Sequence, residues 1–170
     1  TTCTQNDLIA HDVYELRFTK PADFNYQAGQ FIMFDVPDLA NPEDIQPRAY
    51  SIGSTPEEDD LLFVIKLKEG GRASQWIAQP LPIGTEVRMQ GPLGNFMLDT
   101  ATDKEYVFVC TSTGNAPFRS MAKHALEAGD TRRMDLIFGV RSEEDLFWLD
   151  EFGALAEQYD NFYFHPSLTQ

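Results

Sequence analysis

"EYVFVCTSTGNAPFRSMAKHALEAG" (residues 105–129) carries a short apolar run through small polar residues into an amphipathic segment. Tyr106 to Cys110 reads as a buried strand, and Phe118, Met121, Ala122, Ala125 and Leu126 then recur on one helical face, with Gly129 placed to cap its C-terminus. A second strand "MDLIFGV" (134–140), a second helix "EEDLFWLDEFGALAEQ" (143–158) and a third strand "NFYFHP" (161–166) follow. That βαβαβ alternation predicts a parallel sheet. The turn "TSTGNAP" between strand and helix aims backbone N–H groups and the positive end of a helix dipole at the carboxyl end of the sheet, a place suited to pyrophosphate. With Gly114 its only glycine, an ordinary tight βα turn fits these residues equally well.

Upstream the period changes. "DVYELRF" (12–18), "QFIMFDV" (30–36), "LLFVIKL" (61–67) and "TEVRMQG" (85–91) are short runs separated by Gly, Pro and acidic turns, the pattern of a barrel or sandwich. "RASQWIAQPL" (72–81) reads as one short helix with Ser74 near its start and Pro80 at its end. The polar stretch "LDTATDK" (98–104) separates the two patterns, so a domain boundary is expected near residue 100. There is no internal repeat and no low-complexity tract.

Within the first half, "RAYSIGS" (48–54) lines up a guanidinium, a phenol and a hydroxyl on one short strand. Singly, these are an ordinary solvated arginine, a packed aromatic and a neutral serine. "KEGGRAS" (68–74) sets Gly70 and Gly71 ahead of the short helix, where a missing Cβ lets backbone approach a phosphate and Ser74 can donate its hydroxyl. A hairpin turn running into a capped helix is the plainer account of those residues alone.

The chain has 170 residues, 42% of them hydrophobic, enough for a real core, and reads as a soluble protein: no apolar run approaches a membrane span. Its net charge of −14 argues against nucleic acid and anionic lipid as partners. Cys3 and Cys110 are too few for a disulfide framework or a four-cysteine metal or iron–sulfur site, so no metal is expected and a reducing, cytoplasmic setting fits.

Taken as an ordered set, "RAYS", "GGRAS", "GPLGNF", "TSTGNAPFRSM" and "FGVRSEEDLFWLDEF" resemble the ferredoxin-NADP reductase family, the flavin- and pyridine-nucleotide-binding module of oxygenase reductases, flavohaemoglobins and flavin reductases. The resemblance runs from about Leu8 to Gln170 and includes "YQAGQFIMFDVP", similar to the family's Gly-Gln-aromatic strand at Gly29, Gln30 and Phe31. It implies an antiparallel six-stranded Greek-key flavin-binding barrel over residues 1–100. A partial Rossmann-like parallel α/β nucleotide-binding domain over residues 101–170 would follow.

The resemblance also implies roles. Arg48 would fork onto the flavin pyrophosphate, Tyr50 would lie against the isoalloxazine or ribityl part, and Ser51 would reach flavin N5, with Ala49 between them. Tyr50 and Ser51 are thus the residues nearest the chemistry. Gly70, Gly71, Arg72 and Ser74 would receive the flavin diphosphate, which favours FAD over FMN. Thr113, Gly114, Asn115, Ala116 and Pro117 resemble the family's Thr-Gly-x-Ala-Pro turn for the dinucleotide, while Gly139 and Arg141 would line its ribose or phosphate region. NADH or NADPH would be the donor. Gln170, standing where NADP-preferring relatives have arginine, leans toward NADH.

Two departures qualify the match. Ser112 stands where relatives usually have glycine, which restricts close approach of a pyrophosphate, and the family's later Cys-Gly segment and terminal aromatic region are not in this sequence. Cys110 reads as a small buried residue, His124 as a surface or interface histidine, and Trp148 with Phe152 as core packing. The expected function is an NAD(P)H-dependent flavoprotein reductase that passes hydride to flavin N5 and electrons onward to a protein acceptor, a fused redox domain or a small molecule. The alternative is a flavin-binding relay or regulatory subunit with impaired pyridine-nucleotide binding. An exposed edge on a three-stranded sheet would be covered by a homodimer or a larger complex.

Overall fold

The computed structural model describes residues 1–78 and 81–169. Pro80, expected to end the short helix, and Gln170 lie outside the described residues. Six strands come first: β1 (Cys3–Ala10), β2 (Val13–Thr19), β3 (Phe31–Pro37), β4 (Ile45–Ser51), β5 (Asp60–Lys66) and β6 (Met89–Leu93). They form two antiparallel three-stranded sheets, ordered β1-β2-β5 and β4-β3-β6, with the short helix α1 (Arg72–Ala78) between β5 and β6 in sequence. The sheets close into a barrel around Leu16, Phe18, Ile32, Phe34, Phe63 and Trp76, where Phe34 meets Phe63 edge-on at 4.9 Å.

A parallel sheet follows, β7 (Tyr106–Thr111), β8 (Met134–Val140) and β9 (Phe162–Leu168) in that order, joined through α2 (Ala116–Glu127) and α3 (Leu149–Gln158). Right-handed crossovers running in one direction place both helices on one face. Phe108, Leu136, Phe138 and Phe162 are accordingly buried beneath them. On the other face Val107 and Val109 are 63% and 65% exposed, with Ile137 and Tyr163 beside them. No described element covers that face.

β5 explains how the halves are joined. Leu61, Phe63 and Ile65 face the barrel core, whereas Leu62 and Val64, with Val13, belong to the core of the α/β half. The unbroken apolar run of "LLFVIKL" is thus a strand buried on both faces. Gly29, with φ at +100°, tightens the same joint: a Cβ there would lie 2.0 Å from Phe96 O and 2.2 Å from the Met121 methyl of α2.

Three elements differ from expectation. β1 is an edge strand with irregular register and mixed burial, so it lacks the alternation that would announce it. β6 begins later than "TEVRMQG", because residues 85–87 pair instead with the chain start: Cys3 N donates to Thr85 O, Val87 N to Thr1 O, and Thr2 bridges Glu86. The expected helix 143–158 is broken into a 3-10 turn, Glu143–Asp145, and α3. Ser142 and Asp145 close a reciprocal capping box on the first piece, and Trp148 then adopts a left-handed backbone, φ +59°, that starts the second.

Candidate functional site

β4 carries the first group of expected residues. Arg48 and Tyr50 lie opposite Phe34 and Ile32 of β3, so both sit on the side of the strand that meets the barrel core. The Tyr50 ring packs edge-on against Phe34 at 5.4 Å, and burial raises its phenol pKa. Arg48 donates to Pro47 O at 2.9 Å and Gln46 Oε1 at 2.8 Å, and no carboxylate among the described residues pairs with it. Ser51, half-buried, lies opposite Phe31, and Ala49 is exposed on the reverse side. One strand therefore presents a cation without a counter-charge, an aromatic ring and a hydroxyl in sequence.

At the start of α1, Gly71 is held so close to the preceding turn that a Cβ would meet Lys68 O at 2.9 Å and Ser74 Oγ at 3.0 Å. Gly70 beside it has φ +68°. Ser74 Oγ accepts from Lys68 N at 2.7 Å and keeps its own O–H to donate. Arg72 is engaged by carboxylates of the barrel itself. Its guanidinium donates to Asp44 O at 2.6 Å and Asp44 Oδ2 at 2.7 Å, with Asp38 at 3.4 Å, and so ties down the loop before β4.

The third group sits at the carboxyl end of β7, where a 3-10 turn, Ser112–Asn115, feeds directly into α2 with Pro117 in its first turn. Gly114 is exposed, Thr113 half-buried, and Ala116 and Pro117 are buried. Ser112 has φ +47° and a buried hydroxyl with no protein partner, and the fully buried Asn115 leaves both amide atoms unpartnered. Polar groups buried this way are costly unless something meets them.

A cavity of about 370 Å³ opens beside this turn, lined by Thr111, Ser112, Gly139, Arg141, Lys66 and Asp145 among others. It brings two expected regions together. Arg141 is exposed and pairs with neither Glu143 nor Glu144. Lys66, which sequence reasoning passed over, enters the cavity from β5 and pairs with Asp145 at 2.6 Å, and that bond holds the Asp145 carboxyl below its usual range. Its only signal in the sequence was a lysine closing an apolar run. A larger cavity, about 820 Å³, lies at the opposite end of α2 near Tyr26, Leu98 and His124 and contains none of the expected residues.

Residues 1–98 match the model of the oxidoreductase FAD-binding domain, and residues 108–170 match that of the oxidoreductase NAD-binding domain. The chain belongs to the ferredoxin-NADP reductase family. Among curated relatives it is 32% identical over 94% of its length to the ferredoxin--NAD(P)(+) reductase component of the naphthalene 1,2-dioxygenase/salicylate 5-hydroxylase systems of a Ralstonia species, and covers 47% of that protein. It is 31% identical over 91% of its length to the phenol 2-monooxygenase reductase component DmpP of Pseudomonas sp. (strain CF600), and covers 42% of it. The chain thus spans less than half the length of these relatives. The Amycolatopsis cytochrome P450 reductase GcoB superposes with a TM-score of 0.89 at 30% identity, over 98% of this chain and 50% of that one. The Plasmodium falciparum ferredoxin-NADP+ reductase, at 22% identity and a TM-score of 0.85, shares the fold over 99% of this chain and 71% of its own.

FAD and NAD(P)H are the cofactors of the family's two halves. The residues present fit them: Arg48 has no counter-charge among the described residues, the Gly71 turn leaves no room for a Cβ, and buried Asn115 carries unmet polar atoms beside a helix start. Cys110 does not belong to this chemistry. It is buried on β7, and burial pushes its thiol up to about 12.

The joint between the halves is polar, and it is built from residues to which the sequence motifs assigned no role. Arg119 of α2 is 3% exposed and spends all five N–H donors: Nη1 on Gly53 O at 2.7 Å and Glu58 Oε2 at 3.1 Å, Nη2 on Glu58 Oε1 at 3.1 Å and Glu151 Oε1 at 2.6 Å, Nε on Glu151 Oε2 at 3.0 Å. Lys123 pairs with Glu58 as well, so the cluster carries two cations and two anions. Burial would push the Glu58 carboxyl up, but hydrogen bonds and charge from Arg119 and Lys123 outweigh it and bring it to about 2. Ser120 Oγ donates to Ser54 O at 2.6 Å, and the Trp148 indole lies over the Arg119 guanidinium at 5.3 Å.

Proposed function

We propose that the chain is the FAD- and NAD(P)H-binding part of an electron-transfer reductase, divided near residue 100 into a flavin half and a nucleotide half. The observation that carries this reading is Arg48, a strand cation with no carboxylate partner among the described residues, followed on the same strand by Tyr50 and Ser51. In that reading Arg48 holds the flavin diphosphate with the Gly70–Gly71 turn and Ser74. Tyr50 supplies an apolar wall and Ser51 hydrogen-bonds near N5. Thr113 to Pro117, with Gly139 and Arg141, receive the dinucleotide at the sheet's carboxyl end. The flavin supplies the hydride and electron chemistry when bound, and these residues bind, orient and exclude water.

Arg72 enters this reading as the tie to Asp44 rather than as a phosphate ligand. NADH is the favoured donor. The acceptor is an oxygenase or ferredoxin-like electron-transfer protein, consistent with relatives named as oxygenase reductase components, and the setting is the cytoplasm. No helix among the described residues is long and apolar enough to cross a membrane.

A second reading is a flavin module that engages pyridine nucleotide poorly. Ser112 in a left-handed conformation and the Lys66–Asp145 pair, which neutralises a cation of the nucleotide cavity, favour it. A visible spectrum of the purified chain, recorded without oxygen before and after NADH, tests both. Yellow protein that bleaches supports the reductase; yellow protein that stays oxidised supports the second reading. Colourless protein that cannot be reconstituted with FAD defeats both.

A further inference from the structure

The segment that follows Ser51 is held from both halves, and two of its carbonyls are held from α2. Gly53 O receives Arg119 and Ser54 O receives Ser120, neighbouring positions where the first turn passes into the second in the helix that begins in the candidate nucleotide turn. On the barrel side, Ile52 N donates to Gln30 O at 3.0 Å, Gly53 N to Leu62 O at 2.7 Å, and the Tyr26 hydroxyl to Thr55 O at 2.6 Å. Trp148 closes the remaining side, since a Cβ on Gly53 would stand 3.5 Å from the indole Cη2.

Arg119 pairs with two carboxylates, and its shortest contact to the barrel is to a neutral backbone carbonyl two residues after Ser51. The two carboxylates hold the guanidinium plane from opposite halves, Glu58 from the barrel and Glu151 from α3. The plane so held has one N–H left to aim, and that N–H fixes Gly53. Trp148 is kept in a left-handed backbone, which a non-glycine residue rarely adopts, and its ring lies 5.3 Å from the same guanidinium.

We infer that Arg119 is a positioning residue for the flavin: it fixes the Gly53–Ser54 backbone and thereby the direction in which Ser51 presents its hydroxyl. This rests on the flavin reading given above. Because Arg119 lies three positions after Ala116, it also makes the setting of Ser51 depend on the seating of α2, the helix that receives the nucleotide. The coupling is mechanical and local. It runs from the helix start through one guanidinium to one carbonyl.

The test compares the wild-type chain with Arg119→Met, Arg119→Lys and, as reference, Ser51→Ala. Three quantities are read on each: the FAD dissociation constant, the visible circular dichroism of bound flavin, and the affinity for sulfite, which adds to flavin N5. Arg119→Met is expected to reproduce the dichroism change of Ser51→Ala, to shift sulfite affinity in the same direction, and to weaken FAD by roughly tenfold. Arg119→Lys should recover part of each change, which a loss of packing alone would not. If Arg119→Met does not fold, the double variant Ser120→Ala/Glu151→Gln carries the comparison and should move the same signals by a smaller factor. Wild-type dichroism and sulfite affinity in the folded variant overturn the positioning role. Failure of the wild-type chain itself to take up FAD overturns the flavin reading together with it.

Discussion

The indole Nε1 of Trp148 donates to Glu15 Oε2 at 2.7 Å, joining residues 133 positions apart. Glu15 is buried on β2 and is also held by Gln5 and Arg17, so the indole completes the satisfaction of a carboxylate that the fold has removed from water. Trp148→Phe keeps an aromatic ring but removes the donor together with part of the indole that packs beside Gly53 and Arg119. It is expected to cost about 1–3 kcal/mol, read as a lower denaturation midpoint at unchanged slope.

Acid should loosen the joint between the halves. The Glu58 carboxyl is lowered to about 2 from an ordinary value of 4.5, so its contribution to stability is present above pH 4.5 and is lost as pH falls through about 2. Melting curves between pH 7 and 2 should therefore fall more steeply for wild type than for Glu58→Gln. The variant, already lower at pH 7 by about 3 kcal/mol because Arg119 loses a charged partner, should show a flatter profile.

Ser112→Gly should stabilise the chain. The left-handed backbone at φ +47° strains a serine and its buried hydroxyl has no protein partner, and glycine relieves both. A gain of about 1 kcal/mol corresponds to a melting temperature higher by roughly 2–4 °C. If the turn receives the dinucleotide, an NADH titration should also tighten; a higher melting temperature with an unchanged titration would separate the two effects.

Arg48→Ala should weaken FAD by roughly 10–100-fold through loss of charge-assisted hydrogen bonds to a diphosphate. Ser51→Ala should keep FAD bound and slow its reduction by NADH. Equilibrium dialysis and anaerobic stopped-flow measurements distinguish the pair, and full FAD retention in Arg48→Ala would remove the diphosphate assignment.

What the sequence made legible were the features governed by local periodicity. "MDLIFGV" is β8 residue for residue, and "NAPFRSMAKHALEAG" contains α2 with its glycine end, where Asp130 N closes back on Ala125 O. β1 escaped because an edge strand with irregular register has no clean alternation. The break at Trp148 escaped because a left-handed tryptophan has no local signal in the sequence and its indole partner, Glu15 of β2, is 133 positions away. The Arg48, Tyr50 and Ser51 strand was legible as a motif, whereas Lys66 and Arg119 were not: each is one basic residue in an otherwise apolar or helical segment, and its meaning lies in partners contributed by the other half.

The strand buried on both faces limits what can be exchanged between family members. A chimera that grafts a foreign nucleotide half onto this barrel would have to bring side chains that cover Leu62 and Val64, a counterpart to Arg119 for the Gly53 carbonyl, and a donor for Glu15. Without them the graft would leave an oily stripe and a buried carboxylate short of one donor at the seam, so recombination near residue 100 is expected to yield aggregates unless the partner surfaces are transplanted along with the halves.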